Sequence, residues 1–332
     1  MRNLVLICLS VVIFSCWNNT QRVDREVSYR VPNYFPALNL PEDNLPTLAR
    51  MELGKKLFYD IQLSKNKSHH CGSCHVLSAA FTDGKQVSSL GDNNFKRNSP
   101  TLANLAWSPY LMAEGGVPSL EKQALAPIHE SHELNLSMEE LIDRLSKQDE
   151  YQALSMLAYQ RGIDAFVITR ALACFQRSFI SGDSEFDRNY YLSQSSYSEE
   201  EKRGQELFFS ERTKCSSCHT PPLFTNFEFA SLGIEDFDPG LERKTYQATD
   251  FGKFKTPTLR NVELTGPYMH NGSFSTLEEV IEFYNEGGGM ARNKSDKLNV
   301  LDLSKEDKMA LVAFLKTLTD WNFVQNAALQ EN

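Results

Sequence analysis

The stretch Cys71-Gly72-Ser73-Cys74-His75 returns later in the chain as Cys215-Ser216-Ser217-Cys218-His219. C-x-x-C-H is the attachment signature of a c-type haem. The two thiols add to the haem vinyl groups, and the histidine becomes an axial ligand, which leaves the other iron face for the protein to decide. A chain built around two such groups needs helices and loops, because the cofactor supplies much of each core. The competing readings fit less well. The paired cysteines of a zinc ribbon stand about 15–20 residues apart, whereas most of a domain separates these. A thioredoxin-like dithiol needs a βαβ setting, and neither copy has one.

At 332 residues the chain suits two domains, and its net charge of −9 argues against nucleic acid as a partner. Of the seven cysteines, four belong to the two motifs, Cys8 and Cys16 lie in the leader, and Cys174 sits in an apolar helical stretch as a small hydrophobe. The N-terminus reads as a targeting segment: Arg2, then a short apolar run from Leu4 to Phe14. It ends Ile13-Phe14-Ser15-Cys16, which resembles a bacterial lipobox with Cys16 as the lipidated residue; plain signal cleavage is the alternative. Either way the chain is exported, in keeping with haem attachment outside the cytoplasm. The expected location is the periplasm, with contact to the membrane only through a lipid on Cys16.

The pattern divides into a signal (1–16), a tether and extended arm (17–46), a first haem domain (47–192) and a second (193–332). Helices are predicted over 47–60, 137–147, 151–160, 163–180, 198–209, 276–284 and 304–319, with Ile168, Ala171, Leu172 and Phe175 as a core stripe. Residues 81–118 read as irregular and 193–198 as a polar linker. No stretch alternates well enough for a sheet of any size, so the fold class is mostly α.

The halves repeat. Gly54-Lys55-Lys56-Leu57-Phe58 matches Gly204-Gln205-Glu206-Leu207-Phe208, and Pro100-Thr101-Leu102-Ala103-Asn104 matches Pro257-Thr258-Leu259-Arg260-Asn261. Pro109-Tyr110 answers Pro267-Tyr268, and Ser119-Leu120-Glu121 answers Thr276-Leu277-Glu278. Several pairs share a spacing of 157 residues, so each half reads as one cytochrome c-like unit. The same spacing sets Pro127 against Tyr284. If that position faces iron, the first haem is open to a small ligand, because proline has no ligating atom, and the second is capped by a phenolate.

With these residues in view, the chain resembles the bacterial diheme cytochrome c peroxidase/MauG family over about 48–320. The likeness rests on both haem motifs, Phe81-Thr82-Asp83-Gly84, Arg97-Asn98-Ser99-Pro100-Thr101, Ser119 to Gln123, Thr256 to Asn261, Pro267-Tyr268-Met269-His270 and Phe283-Tyr284-Asn285. It implies a peroxidatic haem in the first half and an electron-transfer haem in the second, with His75 and His219 as proximal ligands. Glu133 would be the acid–base group for bound H2O2, and Gln123 would orient the peroxide. His129, His132, His69 and His70 read as surface residues, and His270 as a support rather than a ligand.

The resemblance further implies Tyr284 as the sixth ligand of the second haem, as in the MauG branch, with Met269 and Met290 as rivals. It places Ca²⁺ between the domains on Asn98, Thr265 and Pro267, the last two through carbonyls. Asp92 stands where many relatives carry a distal histidine, and Ala113 where many carry an inter-haem tryptophan. Expected partners are H2O2 and a small electron-donor protein, either a cytochrome or a copper protein. The oligomeric state is left open, a homodimer included. Two functions follow: reduction of H2O2 to water, or MauG-like oxidation of a protein substrate with peroxide. A diheme electron carrier or sensor is a third, non-enzymatic reading, disfavoured by an open first haem with Glu133 beside it.

Overall fold

A computed structural model describes residues 24–87 and 97–331. In the first half, Thr47 caps helix α1 (Leu48–Phe58) by accepting from the Arg50 N–H. The first motif forms the single turn α2 (Cys71–Cys74). After an irregular stretch come two short helices, α3 (Leu120–Gln123) and α4 (Leu125–His129). Helices α5 (Met138–Ser146), α6 (Asp149–Tyr159) and α7 (Ala165–Gln176) follow close to their predicted places. The Ile168, Ala171, Leu172 and Phe175 stripe is buried and joins Leu53, Leu57, Phe58, Phe81 and Phe179 in one apolar cluster. Cys174 is buried there too, as expected of a small hydrophobe.

Just before the second half comes a helix the sequence analysis did not predict, α8 (Glu185–Tyr190), started by a Ser184/Asp187 capping box and packed into the second cluster through Phe186. Then come α9 (Glu199–Phe208), the second motif as a 3-10 turn, and α10 (Glu242–Thr245). Helices α11 (Leu277–Asn285) and α12 (Lys305–Lys316) complete a second cluster around Phe186, Phe208, Phe224, Ile281, Leu311 and Phe314. The one sheet among the described residues is the two-residue ribbon of β1 (Phe229–Ala230) and β2 (Phe254–Lys255), so the chain is mostly helical.

The same local geometry recurs in both clusters. A Cβ on Gly54 would lie 2.0 Å from the Ala171 carbonyl oxygen, and one on Gly204 1.9 Å from that of Ala310, so α1 meets α7, and α9 meets α12, backbone to backbone. Asn104 and Asn261 both take left-handed φ, at 59° and 61°, as do Met112 and Met269, at 69° and 72°. The Asn104 N–H donates to Phe179 O and the Asn261 N–H to Leu318 O. A bridge joins Leu111 to Val117 in one half and Tyr268 to Phe274 in the other.

The halves meet reciprocally. The Asn98 N–H donates to His270 O and the Lys255 N–H to Ala113 O, both at 2.8 Å. Each donor, like each acceptor, stands 157 residues from its counterpart. Between these bonds the Arg97 guanidinium lies 5.4 Å from the Phe254 ring centre and binds both Asp238 oxygens, with Glu114 as a third acceptor. Deeper in, Asn261 Nδ2 donates to Ser181 Oγ, Asn104 Nδ2 to Ser181 O, and Ser181 Oγ to Asp320 Oδ2. All four residues are buried, and the bonds satisfy the polar groups there.

The described part of the arm and the C-terminal tail both lie across this junction. In the described part of the arm, the Tyr29 hydroxyl donates to Cys174 O, the Trp107 indole donates to Pro36 O, and the Arg260 guanidinium sits 4.8 Å from the Phe35 ring centre. At the other end α13 (Trp321–Val324) turns back, so that Phe323, Val324 and Leu329 enter the first cluster. The Tyr59 hydroxyl fixes this tail by donating to Leu329 O at 2.6 Å.

Candidate active site

The two histidines of the motifs are held alike. His75 Nδ1 lies 2.8 Å from Phe81 O, and His219 Nδ1 lies 3.2 Å from both Phe224 O and Pro257 O. Phe81 and Phe224 are themselves left-handed, which turns each carbonyl toward the ring. A carbonyl only accepts, so Nδ1 carries the hydrogen and Nε2 keeps a free lone pair. Burial pushes both imidazoles toward the neutral form, His219 to about 4. A neutral ring anchored through its far nitrogen suits an iron ligand. With two cysteines beside each ring, the donor sets fit covalent haem.

Glu133 lies in a turn just after α4. It lines an open cleft of about 460 Å³ with Met112, Ala126, His129, Glu130 and Ser131. Burial raises the pKa of both Cys71 and Cys74 most, and the Glu133 charge adds to it, so the carboxyl lies within electrostatic reach of the first motif. The residue is open on the cleft side, yet the protein packed behind it raises its own pKa, and neighbouring Glu130 adds to the effect. Gln123, at the end of α3, is half-buried and does not line this cleft. His129 is exposed and lines the cleft rim, with Nδ1 bonded to Leu125 O. His132 is partly exposed.

Two histidines depart from expectation. His70 is not simply solvent-facing: it packs edge-on against Tyr59 and faces Glu331 at 3.7 Å, because the returning tail covers it. His69 reaches the Glu133 backbone. Neither contact has a sequence signal, since each joins segments far apart in the chain.

In the second half Tyr284 occupies α11 at the position answering Pro127. Burial raises its phenol pKa most, and Cys215 and Cys218 raise it further, so the phenol lies within electrostatic reach of the second motif. Of the rival donors, Met290 is 85% exposed, whereas Met269 is half-buried. His270, at the position answering Ala113, stacks on Phe254 with ring centres 3.9 Å apart and pairs with Asp236. Trp107 is occupied with the arm. Asn98 Nδ2 donates to Lys85 O, and Thr265 Oγ1 to Val262 O. No cluster of three or more His, Cys, Asp or Glu capable of holding a metal ion occurs among the described residues. A Ca²⁺ there would depend on the Asn98 amide oxygen and the carbonyls of Thr265 and Pro267. Asp92, Cys8 and Cys16 lie outside the described residues. No described helix is long and apolar enough to cross a membrane.

Residues 48–195 match the family model described as di-haem cytochrome c peroxidase. The chain is 32% identical to the methylamine utilization protein MauG of Methylophilus methylotrophus over 96% of its own length and 95% of the relative's. It is 34% identical to the cytochrome-c peroxidase IdrP1 of Denitromonas iodatirespirans over 86% and 85% of the two chains. Among solved structures, a MauG-like protein associated with microbial copper homeostasis superposes with a TM-score of 0.86 at 32% identity, covering 92% of this chain and 99% of that one. The diheme peroxidase BthA from Burkholderia thailandensis shares the fold, with a TM-score of 0.73 at 23% identity over 93% and 96% of the two chains. Two C-x-x-C-H motifs on matched scaffolds, with relatives of both names along nearly the whole length, identify the chain as a member of the diheme cytochrome c peroxidase/MauG family of oxidoreductases.

Proposed function

We propose that the chain reduces H2O2 to water at the first of two haem units, with electrons entering through the second from a small cytochrome or copper protein. The units would be products of an internal duplication, with boundaries near 47–192 and 193–332. The recurrent Gly, Asn and Met geometries support that history. One observation carries the catalytic reading: a carboxyl of raised pKa lines an open cleft beside the first motif, where the counterpart of Tyr284 is a proline.

When bound, the haems supply a Lewis-acidic iron and a store of electrons. Cys71, Cys74, Cys215 and Cys218 would tether them, and His75 and His219 would present Nε2. Glu133 accepts a proton from one peroxide oxygen and returns it to the other, so that the leaving group departs as water. Two electrons and two further protons complete the balance to two waters. Gln123 is assigned to orienting the peroxide, although it lies off the cleft lining.

Tyr284 favours a second reading. A phenolate stabilises oxidised iron relative to a thioether, which suits MauG-like oxidation of a protein substrate. Ca²⁺ held by Asn98, Thr265 and Pro267, export to the periplasm and a lipid on Cys16 belong to the same proposal. Steady-state turnover with H2O2 and reduced donors separates the readings. Sustained oxidation of a small cytochrome or copper protein supports the peroxidase; failure of every soluble donor, while peroxide still oxidises the haems, supports the second.

A further inference from the structure

The turn that carries Glu133 is tied to the segment leading into the first motif by a side chain that the mechanism above does not use. His69 Nε2 lies 2.9 Å from the backbone carbonyl oxygen of Glu133. Because a carbonyl only accepts, Nε2 carries the hydrogen. The other ring nitrogen lies 2.7 Å from Ser68 Oγ, so both edges of the imidazole are fixed.

The base of this clamp is rigid. The N–H groups of Ser68 and His69 point at Ser64 Oγ at 3.1 and 3.4 Å, and Ser64 is fully buried. The Arg144 guanidinium donates to Ser64 O at 2.7 Å and to Lys65 O at 2.9 Å. The Glu133 turn is closed by its own N–H on Glu130 O, by Leu134 N–H on Pro127 O and by Asn135 N–H on Glu130 O. One other bond crosses between the segments, from Lys65 N–H to Leu134 O at 2.9 Å. Without the imidazole the turn keeps its internal bonds and the Lys65 tie, and the Leu134 N–H still holds the peptide after Glu133 from one side, but the Glu133 carbonyl loses its bond to the segment that leads into the first motif.

We propose that His69 is a positioning residue: its imidazole grips the Glu133 carbonyl and holds the carboxyl beside the first motif in the orientation that proton transfer requires. This rests on Glu133 being the acid–base group.

The test uses cyanide binding to the ferric, haem-loaded full chain. HCN gives up its proton as it binds iron, so its association rate reports the base in the cleft without turnover. His69→Ala is expected to slow association about tenfold, a part of the ~10²-fold that a misplacement of about 1 Å can cost. His69→Gln, whose amide reaches the same carbonyl, is expected to restore the rate; His69→Asn, one methylene shorter, is not. Glu133→Gln slows binding by itself, and His69→Ala added to it changes nothing further. Wild-type rates in His69→Ala beside a slow Glu133→Gln overturn the clamp, as does an undiminished tenfold loss in the double variant. A wild-type rate in Glu133→Gln overturns the acid–base reading and the clamp with it. Should His69→Ala fail to load haem, the comparison of His69→Gln with His69→Asn decides: a faster Gln variant supports the clamp, and equal rates overturn it.

Discussion

A carboxyl whose pKa is raised by burial, with Glu130 beside it, holds its proton at higher pH than a surface glutamate does. As pH falls through that raised pKa, Glu133 becomes protonated and can no longer accept a proton from peroxide. The acid limb of kcat/KM is therefore expected above the ordinary value of 4.5. Glu133→Gln should remove that limb and lower turnover by about 10²–10⁴-fold. An unchanged pH profile in the variant would take Glu133 out of the mechanism. Glu133 and Tyr284 were singled out as candidates in the sequence by a family pattern and a 157-residue spacing. The Glu130 charge beside Glu133 and the His69 contact were not, because they come from a turn and a cross-chain contact that leave no periodic trace.

At the scale of elements, capping residues marked most helices correctly: Ser137, Ser198 and Ser304 each accept from a first-turn N–H. The predicted 163–180 helix ends at Gln176, and the short helices α2, α3, α4, α8, α10 and α13 were missed. These are four to six residues long, too short to show a period, and long-range packing of Phe186 and Phe323 holds α8 and α13. The matched glycines yield a prediction. Gly54→Ala and Gly204→Ala should each destabilise the chain by about 1–3 kcal/mol through overpacking, measured by urea unfolding. Neutral effects would mean that the helix pairs are not in backbone contact.

The α3–α7 contact has its own test. Burial alone would raise the Glu121 pKa, but two bonds from Arg177 and one from Asn44 outweigh it and hold the carboxyl at about 2. A depressed carboxyl stabilises the fold above its unfolded value of 4.5, and that stability fades as pH falls toward 2. Glu121→Gln should cost about 2 kcal/mol at neutral pH and little at the acid end of that window. A loss independent of pH would contradict the ion-pair account.

Across the whole molecule, the mostly helical class and the recurrent geometry of the halves could be read from two motifs and one spacing. The routes of the arm and the tail could not, because Trp107 on Pro36 and Tyr59 on Leu329 join segments with no shared pattern. The recurrence also sharpens the proposed asymmetry: the first half carries Pro127 at the position where the second carries Tyr284. The resting ferric protein tests this directly by EPR and absorption, in the wild type and in Tyr284→Phe. The account predicts a high-spin first haem that binds cyanide without prior reduction, and a second haem whose spectrum changes only when Tyr284 is replaced. Low-spin signals alone in the wild type, or a methionine–iron charge-transfer band that survives Tyr284→Phe, would contradict it.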